Sequence, residues 1–267
     1  MFKTRLLSGI VLVIIAFLTI YSGGYVLWTT LALVSLIGLR ELYQVVKCEK
    51  NPLGIAGYLA AIAYYVVLLA ASGNFQLQVM VFIAALVVVM AVYVFSFPKF
   101  KSDQVTMVYF GILYVAVMLS FIYQTRNLED GLFLVGLVFL CSWGCDTCAY
   151  CVGVLIGKHK MAPKLSPKKS IEGAVGGLAG AALLGALYAL AINRWGGTTV
   201  SPAEFALICF VGGMISMIGD LAASAIKRDH DIKDYGKLIP GHGGILDRFD
   251  SVIFTAPVIY FMAMAIM

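Results

Sequence analysis

The stretch "MISMIGDLAASAIKR" sets Asp220 in an apolar run that ends in Lys227 and Arg228. A carboxylate at that depth is costly unless it is paired, protonated or bound to a cation. Helical spacing puts Ser224 (i+4) and Lys227 (i+7) on its face. A buried Asp–Lys structural pair would meet the same need. Acids inside membrane segments more often mark a site or a pathway, and that reading is preferred. A second stretch, "IPGHGGILDRFDS", runs from Ile239 to Ser251. Its glycines, Gly241, Gly243 and Gly244, flank His242 and free the backbone to point N–H groups at an anion. Lys227, Arg228, Lys233 and Lys237 bring cations. Asp247 and Asp250, three apart at the start of the last apolar run, share a helical face. An anion cradle, cations and fixed carboxylates together suit a nucleoside triphosphate with Mg²⁺. A solvated loop with ordinary turn glycines is the plainer alternative.

A third stretch, "GKHKMAPKLSPKKSIEGAVGG", places five lysines, Lys168 and Lys169 among them, beside Ser170 and a helix start. Helix N-termini with cations hold phosphate well, although a loop kept in the cytoplasm by its charge would look similar. Asp146, upstream with Tyr150 one turn later, is a further acid. Cys141, Cys145 and Cys148 fall on one helical face, a spacing open to zinc or redox chemistry. Small thiols packed between helices account for them better in so apolar a segment.

These groups must be positioned by helices in lipid. The 267 residues are 61% hydrophobic and 12% charged, with mean hydropathy +0.95. Soluble domains carry about 25% charged residues. Nine apolar runs lie near the ~20 residues that a spanning helix needs: Leu6–Ser22, Tyr25–Leu39 (extending toward Val46), Ile55–Ala71, Leu77–Phe97, Val105–Tyr123, Leu132–Ile156, Gly173–Ile192, Ala203–Ile226 and Val252–Met267. On that count all but Arg126 and Arg194 of the 19 Lys and Arg residues fall on one side. The positive-inside rule then puts the N-terminus in the cytoplasm and the C-terminus outside. The expected fold is an all-α integral membrane protein of about nine transmembrane helices in the inner (cytoplasmic) membrane, with its polar loops facing the cytoplasm. It is read as a single polytopic domain. Residues 1–125 are mainly scaffold with almost no ionisable group inside the helices, and 126–267 carry the chemistry. Gly173-x-x-x-Gly177 and Gly176-x-x-x-Gly180 predict close helix packing. The net charge of +5 lies nearly all on the cytoplasmic side and suits anionic lipid. Nothing indicates nucleic acid.

The run from Ser224 to Asp250 resembles the signature of the phosphatidate cytidylyltransferase (CDP-diacylglycerol synthase) family. Ser224, Ile226, Lys227, Arg228, Lys233, Asp234, Gly236, Ile239, Pro240, His242, Gly243, Gly244, Ile245, Asp247, Arg248 and Asp250 match it without departure. "DTCAYCVGVLIGKHK" and "SPKKSIEGAVGG" resemble its upstream elements, with Ser170 where Thr is frequent. The resemblance implies transfer of the cytidylyl group of CTP to phosphatidate, with pyrophosphate released. It implies Mg²⁺ on Asp220 and Asp247, with Asp250 and Asp146 as further carboxylates and a second cation left open. Lys227, Arg228, His242 and Arg248 would hold phosphates. Gly243 and Gly244 would form the backbone cradle, and Ser224, Lys233, Lys168, Lys169 and Ser170 would complete substrate binding. A single copy and a homodimer are both compatible with it. Other CTP-dependent lipid enzymes, a polyprenol kinase or an archaeal-type lipid cytidylyltransferase, are the near alternatives. A secondary transporter is the distant one. It would carry its polar groups near the midplane and an inverted repeat, whereas here the charges crowd one face.

Overall fold

The computed structural model describes residues 2–71, 73–239, 241 and 243–266, with side chains from residue 8 onward except at 266. Nine helices and one small hairpin follow in order: α1 Phe2–Ser22, α2 Gly24–Val45, α3 Pro52–Ala70, α4 Phe75–Phe95, α5 Ser102–Arg126, α6 Gly131–Ile156, β1 Lys160–Ala162, β2 Ser166–Ser170, α7 Ile171–Trp195, α8 Pro202–Asp229 and α9 Leu246–Ile266. Among the described residues, eight helices, α2 to α9, are long and apolar enough to cross a membrane. The described apolar part of α1 is shorter, Ser8–Ser22. The fold is thus all-α, and its only described sheet is the two-stranded hairpin.

Helix edges are set by caps that hydropathy does not register. Asn51 accepts the Gly54 N–H at 3.1 Å with Pro52 in the first turn, so α3 starts three residues before the expected Ile55. Asn74 likewise caps Leu77 at 3.1 Å, and Ser201 caps Glu204 ahead of α8. A side-chain acceptor at this position satisfies a helix N–H that has no partner within the helix. The last residues of α2 include Arg40 and Glu41.

The chain forms two compact units. The first comprises Met1–Tyr123 and Asp234–Arg248. Its core is aromatic and hydrogen-bonded, as suits an interior with little water to satisfy hydroxyls. Tyr43 donates to the Val108 carbonyl at 2.9 Å. Its ring fills space that any side chain at Gly57 or Gly111 would take. Tyr65 pairs with Ser35 at 2.8 Å and Tyr64 with Ser120 at 2.9 Å. A wide π-turn over Ile112–Val117 interrupts α5.

The second unit comprises Gln124–Lys233 and Phe249–Met267. Here α7 buries the small-residue stripe Gly173, Gly177, Ala181, Gly185 and Ala189, the close packing that its spacing predicts. Added Cβ atoms would strike Ala149 and Gly153 of α6 from Gly173, Val152 from Gly176, Cys148 from Gly180, and Cys209 of α8 from Gly185. Gly212 of α8 meets Cys141 in the same way. Cysteine and glycine therefore face each other where helices touch. The six cysteines are free thiols, and Cys141, Cys145 and Cys209 are buried. A π-turn over Leu140–Gly144 offsets α6 just before Cys145 and Asp146.

Candidate active site

The second unit holds a cavity of about 570 Å³ lined by Asp146, Tyr150, Gly153 and Val154 of α6, Lys160 and Met161 of β1, Lys168, Lys169 and Ser170 of β2, Ala174 of α7, and Met217 and Asp220 of α8. This volume lies within the usual range for small-molecule sites, about 300–1,000 Å³. The hairpin delivers its lysines. β1 and β2 run antiparallel with Lys160 opposite Ser170, and the turn closes through the Leu165 N–H on the Ala162 carbonyl at 3.2 Å. Ser170 then ends the strand and caps α7, accepting the Gly173 N–H at 3.1 Å. Gly153 and Gly157 lie so close to its hydroxyl that side chains there would displace it. Glu172, in the first turn of α7, holds the approach to the hairpin. It accepts the Lys158 and His159 N–H groups at 3.1 and 3.2 Å and pairs with His159 Nδ1 at 2.5 Å.

Inside the cavity Lys169 Nζ is ion-paired with Asp220 Oδ2, and each side chain is about a quarter exposed (26% and 23%). Asp220 is also coupled electrostatically to Asp250 of α9. Asp250 in turn feels the positive charge of Lys227 and, more weakly, the negative charge of Asp146. Five of the sequence candidates, Asp146, Lys168, Lys169, Ser170 and Asp220, thus line one cavity, and Asp250 and Lys227 belong to the same charge cluster. Ser224 and Lys227 are buried on α8. Arg228 instead turns outward and donates to the Ile232 carbonyl at 2.9 Å, and Lys233 is exposed. The sequence offers Tyr150 only as a neighbour of Asp146 and Lys160 only as one of five loop lysines, and it does not single out Met161. The available signal was the hairpin itself, a lysine-rich pair of short segments around Pro163.

Gly243, Gly244, Asp247 and Arg248 belong to the first unit. Gly243 has φ +88°, and a Cβ there would meet Asp247 Oδ2 at 2.8 Å. Its carbonyl accepts the Ile239 N–H at 2.9 Å. Asp247 Oδ2 accepts the N–H groups of Tyr235 and Gly244, both at 2.9 Å. The next two amides, Ile245 and Leu246, donate to Glu41 at 3.0 and 2.8 Å. The backbone donors that the glycine pattern offers to an outside anion are therefore, at Gly244, Ile245 and Leu246, bound to the chain's own carboxylates. His242 lies outside the described residues.

The acids can be tested against Mg²⁺. That ion takes one or two carboxylates and completes its shell with water and substrate phosphates. Asp220 and Asp250, coupled to each other beside a lysine-lined cavity, fit this description. No three His, Cys, Asp or Glu side chains among the described residues form a metal-holding group.

Lysine ammoniums and carboxylates line one cavity, set among helices apolar enough to cross a membrane, and such a lining can hold anionic groups. The comparisons with known proteins give the family. The model of the cytidylyltransferase family matches residues 3–266. The chain is 33% identical over 260 residues to the phosphatidate cytidylyltransferase of Staphylococcus epidermidis, covering 96% of this chain and 97% of that protein. It is 32% identical to the enzyme of the same name from Staphylococcus saprophyticus and 31% to that from Staphylococcus aureus, with the same coverage. The chain belongs to the cytidylyltransferase family.

Proposed function

We propose that the protein is a phosphatidate cytidylyltransferase: CTP and phosphatidate give CDP-diacylglycerol and pyrophosphate. The observation that carries this is the full-length likeness to phosphatidate cytidylyltransferases in a chain whose cavity combines Lys160, Lys168 and Lys169 with Asp146 and Asp220. A phosphate oxygen of the lipid attacks the α-phosphorus of CTP. One P–O bond forms, the bond to the β-phosphate breaks, and pyrophosphate leaves with its electron pair. The attacking phosphate is ionised at neutral pH, so the protein needs no strong base. Its work is to orient two anions and offset their repulsion. Lys160, Lys168 and Lys169 neutralise phosphate in the cavity. Lys227, Arg228, His242 and Arg248 are assigned to further phosphate contacts, and Ser224 and Lys233 to substrate binding.

Asp220 and Asp250 keep the divalent-cation role, and Asp146 supports them on the cavity wall. Asp247 keeps it too. The N–H bonds to its Oδ2 fix the carboxylate in the way that metal-bound carboxylates are commonly fixed. When bound, Mg²⁺ would neutralise developing charge on the phosphates. Gly243 and Gly244 are reassigned from direct phosphate contact to the shape of the loop, because carboxylates lie against both. α1 to α9 are taken as nine spans in the inner membrane, with the N-terminus and the Lys227–Arg248 loop in the cytoplasm and the C-terminus outside. The charge asymmetry supports that orientation, and CTP is found on that side.

The test is purified protein with CTP labelled at the α- or γ-phosphate, Mg²⁺ and candidate lipids. α-Label entering a CDP-lipid from phosphatidate, with one pyrophosphate released per turnover, is expected. γ-Label entering a polyprenol, or α-label entering only an ether lipid, would move the chain to one of the neighbouring enzymes.

A further inference from the structure

Glu41 is 5% exposed and sits near the C-terminal end of α2, about 200 residues from the loop it touches. Its two carboxylate oxygens are divided between two consecutive amides. Oε1 accepts the Ile245 N–H at 3.0 Å and Oε2 the Leu246 N–H at 2.8 Å. These amides open α9, where helix N–H groups lack partners within the helix and the helix dipole favours a negative charge. The loop is shaped to admit the carboxylate. At both Gly236 and Gly244 an added Cβ would run into the Glu41 carboxyl group. Asp247 and Arg248 follow directly on the amides that Glu41 holds.

We propose that Glu41 is a positioning residue of the cytidylyl-transfer reaction. It fixes the first turn of α9, and with it the direction in which Asp247 and Arg248 are presented. A buried carboxylate is costly on its own, and here two helix-start amides offset that cost while tying α2 to the turn that carries Asp247 and Arg248. Glu41 grips the turn through two charge-assisted bonds, a stronger class than neutral ones. It also fills the donors that a phosphate would otherwise occupy, and so keeps anions off this helix end. The assignment rests on the proposed reaction.

The test compares wild type with Glu41→Gln, Glu41→Asp and, as a control, Glu49→Gln. Two readouts are taken on folded protein in detergent: kcat and KM for both substrates, and hydrogen exchange in the peptide that covers residues 243–248. In Glu41→Gln an amide NH₂ must face one of the two N–H donors. The expected result is faster exchange at 245 and 246, a fall in kcat of about 10- to 100-fold from misplacement, and an unchanged KM for phosphatidate. Glu41→Asp, which keeps the charge on a shorter arm, should recover part of both. Glu49→Gln should match wild type. Wild-type kcat per folded molecule in Glu41→Gln overturns the proposal, and so does a lost kcat with unchanged exchange. If Glu41→Gln does not fold, the same two readings on Glu41→Asp decide. A wild-type protein that makes no CDP-diacylglycerol sinks the proposed reaction instead, and the exchange comparison still decides whether Glu41 holds the turn.

Discussion

Lys169, on the last strand of the hairpin, is ion-paired with Asp220 of α8. Asp220 lies nine residues before the end of that helix, roughly 14 Å at 1.5 Å per residue. The hairpin therefore sends an ammonium to a carboxylate well inside an apolar helix. The pair makes the cavity tolerable without substrate, and the same ammonium is at hand for an incoming phosphate. Replacing Lys169 with Gln should lower turnover about 10- to 100-fold. Combining it with Asp220→Asn should cost little more than the worse single change, because groups that act together are not additive. Initial rates at saturating CTP and phosphatidate test this, and fully multiplicative losses would separate the two residues.

Asp220→Asn and Asp247→Asn should each abolish most activity while the protein still inserts and purifies. Both changes keep shape and remove charge. Rates measured across a Mg²⁺ titration supply the check. Near-wild-type turnover at saturating Mg²⁺ in either variant would remove that residue from the cation.

Gly243→Val should damage the loop. A residue held at φ +88° without glycine carries about 1–3 kcal/mol of strain, and its Cβ would press on Asp247. We expect at least about tenfold lower kcat from the displaced carboxylate, with the membrane helices intact by circular dichroism. Normal turnover in this variant would show that the loop's shape does not matter.

Eight of the apolar helices, the packing stripe of α7 and the place of Asp220 inside an apolar helix are legible in the sequence. Each depends on a short-range pattern: an apolar run, glycines four apart, or an acid where lipid should be. Glu41 was not legible, since its partners lie about 200 residues away and its position at a helix end looks like ordinary solvation. The hairpin was read only as a lysine-rich loop. Strands of three and five residues are made by their pairing rather than by propensity. The glycines of "GHGG" read as an anion cradle because their freedom was visible while the carboxylates that fill the space were not.

The thiols should be dispensable. Cys141 and Cys148 lie against Gly212 and Gly180, where alanine also fits. Changing Cys141, Cys145, Cys148 and Cys151 to Ala should leave at least about half of the activity, since each change removes a single sulfur atom and leaves a far smaller cavity than truncation of a large side chain. Stoichiometric zinc in the wild type, lost in this variant together with turnover, would show a metal site instead. Gly180→Leu, which forces α6 and α7 apart, should reduce the yield of folded protein far more.

Orientation is open to a labelling experiment in a background with all six cysteines, Cys48 and Cys209 included, replaced. Lys237 and Thr199 are exposed. Lys237→Cys should react with a membrane-impermeant thiol reagent in inside-out vesicles and not in intact cells, and Thr199→Cys should do the reverse. Labelling of Lys237→Cys from outside the cell would defeat the helix count and the cytoplasmic site together.

The bond between Glu41 and α9 also dictates an order of synthesis. Its amide partners lie 204 and 205 residues downstream. At about 5–20 residues per second the ribosome takes roughly 10 to 40 s to supply them after Glu41 is made. Throughout that interval the carboxylate sits at the end of an inserted helix with the turn it will grip still unmade. The N-terminal helices are thus laid down first but completed last, and a nascent chain released before residue 246 never closes them.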